Sequence, residues 1–386
     1  MTRTILPPGA GNPFHYGTPA TGDYFTGRRN ELQAVVSRMR SEVSVVLISP
    51  RRYGKTSLLR RAEERVRRSG ASVVFIDVLL CKDLPTLASS LATQALHARP
   101  GMVGRSAKAA ADFCRRFRAA PHAELGEDGR WRLHFAPHLA TADADRTISE
   151  VYLLLAEQAE ERPSILVLDE FQAITDLGAH LPRLLKGLAD TYPRVVLALA
   201  GSKHHLMQRM VVDADAPLYG MCQAIGLGPV DDESMVEYLV QRAASGGKPM
   251  VRSVAEELIS LAGPAPNDIQ RLAFEAYLAA PSAIDIEAVR RGLLMTVSHG
   301  VHEYAEIWNT RPPGQRRVLG ALADAPTGHT SSKAFRERSG VSSTSSVQKA
   351  IEALDQAELI VRRDGTWHVA DPFFRAWVPS PDVLHG

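Results

Sequence analysis

The chain has 386 residues, 45% of them hydrophobic and 23% charged, with a formal net charge of +2. That length accommodates two or three domains, and bulk charge so close to balance does not mark a nucleic-acid binder. Three isolated cysteines, Cys81, Cys114 and Cys222, form no Cys-x-x-Cys pair and so suggest neither a zinc site nor a disulfide framework; with no apolar run near the roughly 18 residues of a membrane span and no apolar signal core at the start, a cytoplasmic protein without a membrane partner is expected.

Residues Met1 to Asp23 are rich in Gly, Pro and Thr and read as an extended arm, in which Asn12-Pro-Phe14 stands out. Tyr24-Phe-Thr-Gly-Arg-Arg-Asn-Glu-Leu32 leads into a helix pattern over Glu31–Ser41. Phe25 and Gly27, with Arg28 beside them, stand just ahead of the first strand and suit packing against an adenine ring. A hydrophobic staple at a helix start is the alternative.

Val43–Ser49 is an apolar run that predicts a buried strand, and it passes directly into Ser49-Pro-Arg-Arg-Tyr-Gly-Lys-Thr56 and then the helical Ser57–Arg65. Strand, tight loop ending in Gly-Lys-Thr, then helix is the pattern of a phosphate-binding P-loop. Backbone N–H groups at the helix start and the helix dipole both favour negative charge there. In this reading Ser49 and Pro50 open the loop, Arg51, Arg52 and Tyr53 form its turn, and Gly54 lets the backbone approach the phosphates. Lys55 reaches the β- and γ-phosphate oxygens, Thr56 holds Mg²⁺, and Ser57 continues the first turn of the helix. Ser49 stands where the pattern begins with Gly.

A second strand, Ser72–Val78, is followed by a helix pattern over Leu84–His97. The region 101–147 is atypical. It holds a basic helical stretch, Ser106–Ala119, with Arg115, Arg116 and Arg118, then a hairpin signal with a turn at Gly126-Glu-Asp-Gly129. It reads as an insertion between strands. A helix over Ile148–Glu161 returns to the sheet. Ser164-Ile-Leu-Val-Leu-Asp-Glu-Phe-Gln172 is a continuous apolar strand ending in two carboxylates. The carboxyl end of such a strand is where an open α/β sheet binds ligands. Asp169 is expected to orient Mg²⁺ and Glu170 to polarise the attacking water. Arg194–Ser202 is a further buried strand. Its Ser202 either contacts the γ-phosphate or attacking water, or caps the helix His204–Met210. Gln223–Val230 closes a parallel sheet.

From Asp231 onward strands give way to helix patterns at Asp232–Ala244, Ser253–Ala262, Pro266–Ala279 and Ile286–Ala305, which look like a lid over the nucleotide site. Patterns at Pro312–Ala323, Ser331–Arg338 and Ser342–Ala357 then precede a hairpin over Leu359–Val369 with Asp364-Gly365 at its turn. Three helices and a hairpin describe a winged helix-turn-helix. Used on duplex DNA, the third helix would face the major groove with Ser343, Thr344, Ser346 and Lys349, while Arg362 and Arg363 in the wing met phosphates. Used otherwise, the module would make protein contacts or pack on the lid.

Taken together these motifs resemble the archaeal-type ATPase family, a branch of the P-loop ATPases near the AAA+ and STAND classes. The resemblance rests on Phe25-Thr-Gly-Arg28 with Glu31-Leu32, Pro50-Arg-Arg-Tyr-Gly-Lys-Thr-Ser-Leu58, Leu168-Asp-Glu-Phe-Gln172, Pro217-Leu-Tyr-Gly220 and Asp371-Pro-Phe-Phe374. It implies a P-loop sheet of the ASCE/AAA+-like kind in residues 1–230, a helical lid in 231–306 and a winged helix in 307–386. Departures are Ser49, Met221 where an arginine is common, and Gly263-Pro-Ala-Pro266 in place of Gly-Gly-x-Pro. Arg51, Arg52, Arg194 and Arg209 are the candidates for charge-stabilising contacts. The expected activity is Mg²⁺-dependent ATP hydrolysis driving a molecular switch that engages DNA or a protein partner. A nucleotide-gated DNA-binding regulator, or a scaffold that self-associates or recruits an effector with negligible hydrolysis, is the alternative. The absence of an Asn-Lys-x-Asp signature favours ATP over GTP.

Overall fold

A computed structural model describes residues 11–98, 121–125, 131–135 and 141–378. The basic stretch expected over 106–119 and the turn at 126–129 lie outside the described residues. The chain divides into two compact units: residues 28–228 form one, and the described residues of 1–27 and 229–386 form the other.

Nine strands occur among the described residues: β1 (Val45–Ile48), β2 (Ser72–Asp77), β3 (Pro121–Leu125), β4 (Trp131–Phe135), β5 (Ser164–Asp169), β6 (Val195–Gly201), β7 (Gln223–Gly226), β8 (Ile360–Arg363) and β9 (Thr366–Val369). The first unit is built on a five-stranded parallel sheet in the order β2-β5-β6-β1-β7. β5 and β6 are buried along their whole length, as continuous Val/Leu/Ile runs require when helices cover both faces. β3 and β4 pair antiparallel, in agreement with the hairpin signal.

Several elements differ from expectation for identifiable reasons. β7 stops at Gly226 rather than Val230, because its partner β1 offers only the four residues Val45–Ile48, and Pro229 has no N–H to continue a ladder. The helix expected from Ile148 begins at Thr141. Within that early part the Thr147 and Ser149 hydroxyls donate to the carbonyls four residues back, Asp143 and Asp145. The helix after β6 is α-helical only over His204–Met207 and widens into a π-turn at Gln208–Val212. A helix at Leu181–Thr191 adds to the expected set, and it buries Leu181, Leu185 and Ala189 at i, i+4 and i+8.

In the second unit, helices Asp232–Ser245, Arg252–Ala262, Pro266–Ala279 and Ile286–Asn309 share one apolar core with the winged helix. The last of these runs past Ala305 because Tyr304 packs on Phe374, and Trp308 on Trp377, with ring centroids 5.5 and 6.3 Å apart. The residues 11–24 belong to this unit. Phe14 is buried, Asn12 Nδ2 donates to the Phe274 carbonyl, and Arg242 Nε donates to that of Pro13.

The winged helix comprises helices Pro313–Asp324, Lys333–Ser339 and Thr344–Gln356 and the hairpin β8–β9. Asp364 (φ 47°) and Gly365 (φ 79°) are both left-handed, as the tight hairpin turn requires. The Asp371-Pro-Phe-Phe374 motif closes the domain as a helix start. Asp371 accepts from the Phe373 and Phe374 amides, Pro372 fills the first turn, and both phenylalanines are buried.

Candidate active site

The strand order decides what meets at the carboxyl end of the sheet. β6 lies between β1 and β5, with Ile48 beside Gly201 and Leu168 beside Leu199. The loop after β1, Ser202 after β6 and the two carboxylates at the end of β5 therefore stand in a row, and Asp77 at the tip of β2 is paired in register with Asp169.

The loop after β1 ends on Gly54, which adopts φ +87° and is the N-cap of helix Lys55–Arg68. A side chain there would be strained, and glycine leaves the helix start without a side-chain cap to compete with an anion. Arg52 is also left-handed, at φ 70°. Lys55 is buried, and its Nζ donates to the carbonyls of Ser49 (2.8 Å) and Pro50 (3.1 Å), so the opening of the loop wraps the ammonium. Ser49 itself is buried. Arg51 and Arg52 are exposed, Tyr53 is buried and Ser57 is half-buried.

Thr56 reaches across β6: its hydroxyl donates to Asp169 Oδ2 at 2.5 Å. Asp169 is fully buried and its Oδ1 accepts from the Glu170 amide at 3.0 Å. Burial, more than anything else, raises its pKa; the neighbouring Glu170 and Asp77 carboxylates push the same way, against the Thr56 and backbone hydrogen bonds. Burial also raises the Asp77 pKa, with Glu170 adding to it and the Leu79 amide and Arg60 opposing. Glu170 takes a left-handed backbone, φ 48°, unusual for a non-glycine. Its Oε2 accepts from Ser202 Oγ (3.0 Å) and Gln172 Nε2 (2.5 Å).

A hydroxyl and a buried carboxylate, both hard oxygen donors, suit a magnesium ion that takes its remaining ligands from phosphate and water. Among the described residues no group of three or more His, Cys, Asp or Glu is arranged to hold a metal.

Other residues singled out from the sequence lie differently. Arg28 is buried and bound to the chain itself: Nη1 to Glu31 Oε1 (2.8 Å), Nη2 to the carbonyls of Tyr53 (3.3 Å) and Gly228 (2.5 Å). Gly27 is left-handed, φ +66°, and a Cβ there would stand 2.0 Å from Val230 Cγ1. Phe25 is half-buried. Arg194 precedes β6, at the end of the sheet away from the loop, and is paired with Glu42 and Glu160. Arg209 is exposed in the π-turn. In the winged helix, Ser343 is the N-cap of helix Thr344–Gln356, its hydroxyl engaged by the Ser346 amide and hydroxyl. Thr344, Ser346, Lys349 and Arg362 are exposed, and Arg363 is half-buried. The exposed face carrying Lys349 also carries Glu352 and Asp355.

Sequence reasoning assigns no role to Gln172 or Asp77. The signal for Asp77 is present, a carboxylate ending an apolar strand. Gln172 lies three residues beyond the strand, and only the turn at Glu170 shows that it points back.

A family profile described as "ATPase domain predominantly from Archaea" matches residues 25–272, and one described as "Probable winged helix domain" matches 302–380. Among solved structures, a Walker-type ATPase of Pyrococcus abyssi is similar over 97% of this chain and 100% of its own, at 20% identity and a TM-score of 0.66. The ORC2 protein of Aeropyrum pernix, solved as ADPNP–ADP complexes, is similar over 96% of both chains at 15% identity and a TM-score of 0.57. At such identities these likenesses speak to the fold. A search of curated protein sequences returned no match. Among the described residues no helix is long and apolar enough to cross a membrane.

Proposed function

Because the chain belongs to the family of ATPase domains found predominantly in Archaea, we propose that it binds ATP with magnesium at the loop after β1 and hydrolyses it. The observation that carries the proposal is the Thr56–Asp169 hydrogen bond, which brings the Gly-Lys-Thr helix start and the acidic strand tip to one point. Lys55 would hold the β- and γ-phosphates, with the loop amides cradling them. Thr56 and Asp169 would hold Mg²⁺, which neutralises charge building up on the phosphate oxygens. Glu170 would take a proton from water as the water oxygen bonds to the γ-phosphorus. The bridging P–O bond breaks and ADP leaves with its electron pair. Ser202, between the loop and Glu170, would help hold that base.

The complexes named for the ORC2 protein, with an ATP analogue and ADP, agree with an adenine nucleotide. On this reading residues 28–228 form the ATPase portion with its insertion, 231–306 a lid and 307–386 a winged helix that takes the nucleotide state to a partner. For duplex DNA, Arg362 and Arg363 are the best-placed phosphate contacts. The acidic residues beside Lys349 favour a non-specific, wing-led contact over base reading by Thr344 and Ser346.

Phosphate release from the wild type, Lys55→Ala and Glu170→Gln tests the core proposal. Lys55→Ala is expected to lose binding. Glu170→Gln is expected to bind ATP and to turn over at least about a hundredfold more slowly. Equal rates in all three reject it. Duplex binding that weakens with salt and vanishes on R362E/R363E supports the DNA branch; no salt-sensitive binding in any nucleotide state removes it and leaves a protein partner or self-association.

A further inference from the structure

Gln172 is buried, 6% exposed, in the turn that follows Glu170. Its amide group gives hydrogen bonds to Glu170 Oε2 at 2.5 Å and to Ser202 Oγ at 3.4 Å, while Ser202 itself gives one to the same Glu170 oxygen at 3.0 Å. Two donors thus converge on Oε2, and Oε1 makes no hydrogen bond among the described residues. The NH₂ group must face Glu170, since the amide oxygen would repel a carboxylate. The amide oxygen consequently points the other way, where it is buried and has no partner among the described residues. It would lie 2.6 Å from a Cβ placed on Gly201, which would crowd Met207 as well, so glycine at the tip of β6 makes room for both. An uncompensated acceptor in a buried position calls for an explanation, and packing alone supplies none, because a methionine would fill the same space without it.

We propose that Gln172 is a positioning residue for hydrolysis: with Ser202 it fixes one carboxylate oxygen of Glu170 and keeps the other available to take the proton of the attacking water. The left-handed turn at Glu170 (φ 48°) is what brings side chains 170 and 172 to the same side of the chain. The amide is suited to the task because it donates without bringing a charge of its own, and its orientation is set before substrate arrives. The proposal rests on Glu170 acting as the base, and its test separates the two ideas.

The test is steady-state ATP hydrolysis by the full chain carrying Q172M, S202A, E170Q and the double change E170Q/Q172M, with nucleotide affinity and thermal melting measured on each. Q172M keeps the shape and removes the donor. It is expected to lower kcat about tenfold or more with KM and Tm close to wild type. S202A, a smaller perturbation, is expected to lower kcat severalfold. E170Q/Q172M is expected to be no slower than E170Q, because Gln172 acts only through that carboxylate. A Q172M enzyme within twofold of wild type overturns the proposal. So does an equal further loss in the E170Q background, which would show Gln172 acting independently. Should Q172M melt early, S202A decides instead, and an unchanged kcat there overturns the pair of donors. A wild type without activity, or one unaffected by E170Q, rejects the hydrolase reading itself.

Discussion

Truncating Arg28 to alanine measures whether that residue serves the nucleotide directly, as its place beside Phe25 and Gly27 suggested, or holds the loop from behind. In the fold the residue is 4% exposed and its guanidinium ties three segments of the first unit together: helix Arg29–Arg40 through Glu31, the loop through the Tyr53 carbonyl and the end of the unit through the Gly228 carbonyl. Alanine would leave two main-chain acceptors and one carboxylate behind. Glu31 is 27% exposed, so water can take over its share and it contributes little. The two carbonyl bonds come from a charged donor and are worth about 1.5–3 kcal/mol each. Water entering the vacated space recovers part, which leaves a net loss of about 3–5 kcal/mol, the range for removing one partner of a buried charged cluster. For a unit of this size each kcal/mol moves the midpoint by about 2–4 °C, so R28A should melt about 6–20 °C below wild type. ATP affinity should fall by no more than about tenfold, through a looser Tyr53–Gly54 segment. R28K, which keeps the charge but can reach only part of the set, should lie between. Thermal melting without nucleotide, followed by an ATP titration, decides it. An R28A protein that melts within about 2 °C of wild type yet loses ATP binding would refute this account and restore direct contact.

Three further outcomes follow from the geometry. Asp169 and Asp77 have pKa values raised by burial, so their ionisation opposes folding. The stability tied to their protonated forms is complete below the ordinary carboxylate value of about 4 and is lost as pH rises through the raised values. D169N should therefore gain thermal stability relative to wild type as pH climbs from about 4 to 7, and should lose the extra stability that Mg–ATP confers on wild type. G27A, with its Cβ 2.0 Å from Val230 Cγ1 at φ +66°, should cost about 1–3 kcal/mol, and V230A in the same chain should restore part of it in a melting experiment. Recovery would assign Gly27 to packing on Val230 rather than to an adenine ring. S343A removes the N-cap of helix Thr344–Gln356 and should cost about 1 kcal/mol; unchanged melting with a specific loss of DNA binding would instead mark Ser343 as a contact.

Much of this architecture was legible because the informative residues are written contiguously. Val45–Ile48 followed by a Gly-Lys-Thr loop, and Ser164–Leu168 followed by Asp169-Glu170, announce buried strands with polar tips, and only a parallel sheet buries such runs on both faces. The wing was equally plain, since Asp364-Gly365 supplies the two left-handed residues a tight turn needs. What escaped depended on contacts distant in sequence. Arg28 sits 25 residues before Tyr53 and 200 before Gly228, so nothing local distinguishes it from a nucleotide contact. Gly27 looked permissive for a ligand when its neighbour is Val230. Helix Leu181–Thr191 carried the proper spacing but begins just after a glycine-containing turn and holds Pro182, signals that here mark its first turn rather than its absence.

The candidate site shows where the boundary between these two kinds of knowledge falls. A strand's end can be read from its own residues, but its neighbours cannot. Nothing within Arg194–Ser202 says that β6 lies between β1 and β5 rather than outside them. Had β6 been placed apart from β5, Ser202 would stand away from Glu170, and the choice between capping and chemistry would tilt to capping. With β6 in the middle, the Ser202 hydroxyl reaches Glu170 at 3.0 Å and Thr56 spans an entire strand to meet Asp169. The order β2-β5-β6-β1-β7 thus turns four separate strand tips into one row of donors and carboxylates. Gly201, which had no apparent chemistry, leaves the room that Met207 and the Gln172 amide oxygen share behind the base.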